Sequence, residues 1–162
     1  MKSSTFRGSI IAVTGAAVML VASNAAAQAA EPTLDGVWRV TRHGVNCVTG
    51  QQFPNSFPAL MTFHKDGTMH NDSVGPGSTA AEGTAEHGLW QREPGDHNFS
   101  FRILGYGWDP QTGAFEGSAE IRGTLQLTTA NSFAYDAKIQ FIDPAGNVLV
   151  TLCGRATGMR FE

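Results

Sequence analysis

Residues 115–128 alternate strictly between apolar or small side chains and polar ones, and this period most constrains the fold of the chain. One set is Phe115, Gly117, Ala119, Ile121, Gly123, Leu125 and Leu127. The other set is Glu116, Ser118, Glu120, Arg122, Thr124, Gln126 and Thr128. Successive side chains point to opposite faces in a strand but not in a helix. The segment is therefore predicted to be a long, half-buried β-strand.

The same alternation recurs in shorter segments along the rest of the chain. Further strands are predicted at 36–43, 57–64, 68–71, 87–92, 97–104, 133–141 and 147–161. Short links rich in Gly, Pro and Asp separate several of them, as in Asp143-Pro144-Ala145-Gly146. No segment after residue 29 shows a helical period. An all-β fold of about eight antiparallel strands follows, as an up-and-down barrel or a sandwich. An even number allows the first and last strands to close a barrel.

The first 29 residues have the three-part pattern of an export signal. Lys2 and Arg7 precede an apolar run over residues 8–22, and Ala27-Gln28-Ala29 supplies the small residues of a cleavage site. The run is shorter than the roughly 20 residues of a membrane span. We expect a signal peptide at 1–29, a single domain at 30–162, a periplasmic or secreted location, and no stable membrane insertion after cleavage.

The charge of the chain limits the classes of partner it can bind, and its cysteine content indicates the redox compartment. Removal of Lys2 and Arg7 leaves 9 basic and 14 acidic residues, and no basic run remains. An acidic surface of this kind disfavours nucleic acid as a partner. Cys47 and Cys153 are the two cysteines, and an even pair in an exported chain predicts a disulfide. In an antiparallel ladder that pairing brings Trp38 to within about two residues of Arg160.

These two residues also carry a family resemblance. Gly36-Val37-Trp38 opens the first strand and Arg160 lies on the last. The arrangement resembles the calycins, the lipocalin-like β-barrels that include the fatty-acid-binding proteins. The resemblance implies that Arg160 packs across Trp38 and plugs one end of the barrel by a cation–π contact. It also implies a ligand site inside the barrel.

A ligand is expected to enter at the opposite end, because the long links 44–56, 72–86 and 105–114 all fall there in a meander. Small inward residues such as Gly123 and Gly158 leave room, which either an apolar cavity or close packing can fill. The predicted ligand-binding residues are aromatic side chains of the mouth link or interior, together with two inward polar ones. They are Tyr106, Trp108, Phe99, Phe101, Phe133, Tyr135 and Arg42.

Three functions are compatible with such a barrel. The first is binding of a small, mainly apolar molecule. The second is catalysis of the cyclase or isomerase type on an apolar substrate, and the third is a periplasmic protein-binding module such as a protease inhibitor. His43, His70, His87 and Asp72 lie toward the mouth and are the only set that converges. Their spacing matches no ligand motif, so no catalytic residue, metal or cofactor is predicted.

Overall fold

The computed structural model describes residues 32–73, 84–95 and 97–161. The predicted signal peptide lies outside the described residues. No helix in this part of the chain is long and apolar enough to cross a membrane. The eight strands are β1 (Gly36–Val45), β2 (Gln52–Phe63), β3 (Thr68–Ser73), β4 (Glu86–Arg92), β5 (Asn98–Trp108), β6 (Phe115–Thr129), β7 (Ser132–Ile142) and β8 (Val148–Arg160).

The strands form one closed antiparallel barrel in chain order, which confirms the predicted up-and-down barrel. Strand β1 pairs with both β2 and β8, so the ends of the barrel domain meet at a seam. Trp38 lies opposite Arg160 along this seam. Cys153 lies opposite Val45, two residues short of Cys47, and the predicted disulfide is formed with its Cα atoms 5.3 Å apart.

The end of the barrel near Trp38, here the closed end, holds the densest part of the core. Trp38 is fully buried, and its indole lies 4.9 Å from the Phe133 ring. The indole N–H donates to the carbonyl of Leu34 at 2.9 Å. The Arg160 guanidinium lies 4.3 Å above the indole and also donates to backbone carbonyl groups, including that of Thr33. The plug implied by the resemblance is therefore present.

The small inward residues of β6 and β8 make room for large neighbours. A Cβ atom at Gly158 would lie 2.2 Å from Cζ of Phe133, and one at Gly123 would lie 2.4 Å from Cζ of Phe101. Heavy atoms cannot approach so closely, so these glycines are the counterparts of the phenylalanine rings. At these positions the interior is a packed core and not a cavity.

Strand lengths differ around the barrel and shape the open end, here the mouth. Strands β3 and β4 have 6 and 7 residues, whereas β6 and β8 have 15 and 13. The β6–β8 wall therefore extends further than the β3–β4 side. Part of the link predicted at 105–114 is strand, because β5 continues to Trp108 and pairs with β6 past a register shift. Glycines at 105 and 107 interrupt the apolar alternation there, so the sequence pattern did not predict that the strand continues beyond residue 104.

Candidate functional site

A group of four polar side chains, here the polar floor, lies on the inward face of the barrel. It consists of Arg42 on β1, Asn71 on β3, Glu86 on β4 and Tyr135 on β7. Asn71 is fully buried, and Arg42 and Tyr135 are 8% and 6% exposed. The Arg42 guanidinium donates to the Asn71 side-chain oxygen, and the Asn71 amide donates to the Glu86 carboxylate. A side-chain hydrogen bond links Tyr135 to Arg42.

Strand register brings these residues together. Asn71 and Glu86 are direct cross-strand partners on β3 and β4. Arg42 and Tyr135 are both paired with Ala156, which lies between them on β8 and is too small to separate them. A methyl group at this position leaves space for the two long polar side chains to meet.

Burial dominates the electrostatics of the floor. It raises the pKa of Glu86, although the hydrogen bond from Asn71 and the charge of Arg42 act in the opposite direction. Burial also raises the pKa of Tyr135, which therefore remains a neutral hydroxyl that can donate or accept a hydrogen bond. The floor combines one cation, one amide, one carboxyl group and one phenol that are largely shielded from water.

The mouth side of the floor has an apolar wall built by β7 and β8. Phe141, Val150 and Leu152 have the inward parity of their strands yet are 41%, 44% and 48% exposed. Phe141 pairs with Val150, and Leu152 pairs with Ile139, which packs against the core. These four residues are named the apolar wall. Exposed apolar side chains that face into a barrel mouth beside buried polar groups have the composition of a small-molecule site.

The structure brings together only some of the predicted ligand-binding residues. Arg42 and Tyr135 belong to the floor, and the Phe101 ring packs edge-on against Tyr135 with centroids 5.1 Å apart. Phe99 and Phe133 are each 1% exposed and lie in the closed half of the barrel. Phe99 packs against Trp90, whereas Phe133 packs against Trp38 and stacks on the floor residue Tyr135 with centroids 6.2 Å apart.

Tyr106 and Trp108 lie away from the floor, near the mouth end of β5. Tyr106 shares its strand parity with the exposed Arg102 and Leu104, which places it on the outer face. Both aromatic rings contact Phe115, with centroids 6.0 and 5.3 Å away. The three rings form an exposed aromatic group that is separate from the interior.

The histidines also lie largely on the outer surface. His70 and His87 are cross-strand partners with ring centroids 4.5 Å apart, and the His64 ring lies 5.4 Å from His70. His43 is paired with Ser56 and Arg155 at a distant seam position. Within the described residues, no group of three or more His, Cys, Asp or Glu side chains is placed to hold a metal ion.

Asn71 and Glu86 are the site residues that sequence reasoning missed. Asn71 has the same parity as the buried Met69, and Glu86 has the same parity as Trp90, which packs against the core. That shared parity was a usable signal, but Glu86 fell in a predicted link. The rest of that link, residues 74–83, lies outside the described residues.

The closed eight-stranded barrel and its Arg160–Trp38 plug are compatible with a lipocalin-like fold. The polar floor is a feature of this chain that only the geometry reveals. No protein-family model matches the chain, and no characterised protein is significantly similar to it in sequence.

Proposed function

We propose that this protein is exported and binds a small, mainly apolar molecule in the mouth of the barrel. The observation that carries the proposal is the apolar wall of inward-facing side chains, which begins four residues beyond Tyr135 along β7, on the mouth side of the polar floor. Export is supported by the residue pattern of 1–29 and by the disulfide, which is typical of oxidising compartments.

The arrangement predicts how the ligand lies. Its apolar body covers Val150 and Leu152, and each buried methylene group contributes about 0.8 kcal/mol to binding. A polar group on the ligand reaches Arg42 or Tyr135, which offer a charged and a neutral donor. The ligand is then a molecule with one polar end and one apolar end.

Catalysis of the isomerase or cyclase type is a second candidate, and Glu86 is the observation that favours it. Its pKa is raised by burial, and Tyr135 lies close enough to interact with it electrostatically. A carboxyl group with a raised pKa is suited to proton transfer near neutral pH. Turnover of a bound ligand by the native protein, with loss on Glu86→Gln, would distinguish this function from simple binding.

Native mass spectrometry of the exported protein tests the proposal directly, with extraction of any bound molecule. A titration with a fluorescent apolar probe gives the matched comparison. Leu152→Gln is expected to weaken probe binding by about tenfold, since it removes part of the apolar contact. Leu60→Gln is the control, because Leu60 is 46% exposed, almost as much as Leu152, but lies on the outer face of β2.

Equal weakening by the two substitutions would place the probe outside the mouth and contradict the proposal. Absence of any saturable probe binding, together with no co-purified molecule, would contradict it as well.

A further inference from the structure

Three cationic side chains form a line across the outer face of the barrel, here the cationic row. Arg102 on β5 lies directly opposite Arg122 on β6, and Arg122 lies directly opposite Lys138 on β7. The two arginine side chains are 63% and 62% exposed. Because adjacent strands are about 4.8 Å apart, the Cα atoms of the three cationic residues follow one another at about that spacing, perpendicular to the strands.

Such a row opposes folding, since like charges directly opposite each other on adjacent strands repel. Glu120 offsets part of the repulsion through contacts of 3.4 Å to Arg102 and 2.8 Å to Arg122. The nearby Asp136 is engaged by Arg155 at 2.9 Å. Four of these six side chains are cationic and two are anionic, so this part of the surface has an excess of positive charge. The whole chain, in contrast, has a net charge of −3.

The cationic row forms one bank of a shallow groove with a volume of about 770 Å³. The groove crosses β4 to β8 and ends at the loop that carries Cys47, so it spans roughly 19 Å at the usual strand spacing. The opposite bank offers amide, hydroxyl and carboxylate groups from Gln91, Ser100, Thr124 and Asp136. Arg102 and Arg122 therefore face neutral hydroxyl groups of their own strands, whereas Lys138 faces the Asp136 carboxylate, which Arg155 engages.

We propose that this groove binds a linear acidic polysaccharide with one carboxylate on each sugar. The length of one sugar ring along such a chain is comparable to the strand spacing, so a segment of a few sugars reaches from Arg102 past Arg122 to Lys138. Guanidinium and ammonium groups form charge-assisted hydrogen bonds with carboxylates. The hydroxyl and amide groups of the opposite bank suit the sugar hydroxyls. The site lies on the outer face and does not depend on the ligand in the mouth.

Calorimetric titration of the full chain with a tetramer of galacturonate at low ionic strength tests this proposal. The matched control is the same tetramer with its carboxylates methyl-esterified. Saturable binding is expected for the acid form, with no detectable binding of the ester. Added salt is expected to weaken the binding, because the charges of the row are exposed and easily screened.

Substitutions in the row sharpen the test. Arg122→Gln, at the centre, and Lys138→Gln are each expected to weaken binding of the acid tetramer about fivefold, in line with an exposed charge pair. Lys138 makes no ion pair among the described contacts, so its substitution keeps the test valid if Arg122→Gln impairs folding. Lys65→Gln is the control, since Lys65 is exposed in the turn between β2 and β3 at the closed end.

Three results would overturn the proposal. One is the absence of binding by the acid tetramer, and another is equal binding of the acid and its ester. The third is equally tight binding of an acidic peptide or of single-stranded DNA, which would show attraction to polyanions in general and not recognition of a sugar chain.

Discussion

At the closed end of the barrel Trp38 and Phe133 are almost completely buried, whereas at the mouth Val150 and Leu152 are nearly half exposed on the inward faces of their strands. The closed end matches a glycine with an aromatic ring, as Gly158 does with Phe133. The mouth leaves its apolar side chains without comparable cover among the described residues. The comparison indicates that core packing is concentrated at one end, which lets the other end present apolar surface to a ligand.

The seam between β1 and β8 shows the same contrast, because different interactions stabilise it at the closed end and at the mouth. At the closed end Arg160 stacks on Trp38 and donates to the carbonyl groups of Thr33 and Asp35. At the mouth end the seam is fastened by the Cys47–Cys153 disulfide. Non-covalent packing therefore holds the end with a dense core, and a covalent bond holds the end without one.

The largest expected difference between the ends is in core substitutions. Trp38→Ala is expected to lower the free energy of unfolding by about 3–5 kcal/mol, because it leaves a cavity and removes the surface on which Arg160 stacks. Leu152→Ala is expected to cost less than about 1 kcal/mol, as a half-exposed side chain has less contact to lose. Denaturant unfolding of both variants measures the difference. Similar losses would show that packing is not concentrated at the closed end.

The disulfide is expected to have the next largest effect. Replacement of Cys47 and Cys153 by Ser removes a cross-link between residues 106 positions apart. The chain-entropy relation gives a loss of about 4–5 kcal/mol as an upper bound, and 2–4 kcal/mol is typical. Denaturant unfolding of the double variant measures this loss. Near-UV circular dichroism is expected to keep its aromatic signal, since the Trp38 environment does not include the cross-link.

A double variant with unchanged unfolding free energy would show that the strand pairing of the seam is sufficient by itself. Collapse of the aromatic signal under native conditions would show instead that the closed end depends on the covalent link at the mouth.

Much of the fold follows from local patterns in the sequence. The two-residue period of 115–128 identifies β6, and similar periods identify the other strands to within a few residues. The disulfide and the approach of Trp38 to Arg160 follow once β1 and β8 are assumed to pair. These predictions succeed because they need only parity along one strand and the meeting of two ends.

The polar floor and the cationic row required the register of every strand. Asn71 meets Glu86, and Arg102 meets Arg122, only for one alignment of the paired strands. A slip by one residue would move each side chain to the opposite face. The chain has no basic run in sequence, and yet the barrel assembles three cations from three strands. Local composition carries no information about such contacts.

The smallest expected effect concerns the pH dependence of stability, which is predicted to differ in sign between the two ends. Burial raises the folded-state pKa of Glu86 at the mouth, so its contribution to stability is full below the unfolded pKa and is lost as pH rises through the folded value. At the closed end, hydrogen bonds from Gln91 and Ser100 lower the pKa of Glu93, so its contribution is present above the unfolded pKa and is lost as pH falls.

Two substitutions separate these contributions. In the native chain, Glu86 is expected to make the free energy of unfolding decline as pH rises above the ordinary glutamate range, and Glu86→Gln is expected to remove that decline. Glu93 is expected to make the free energy of unfolding decline toward acidic pH, and Glu93→Gln is expected to remove this second decline. Denaturant unfolding of both variants and the native chain across pH 3–8 measures the two differences. A native chain whose unfolding free energy shows the same pH dependence as Glu86→Gln would mean that water reaches Glu86 freely and that the polar floor is not the secluded site proposed here.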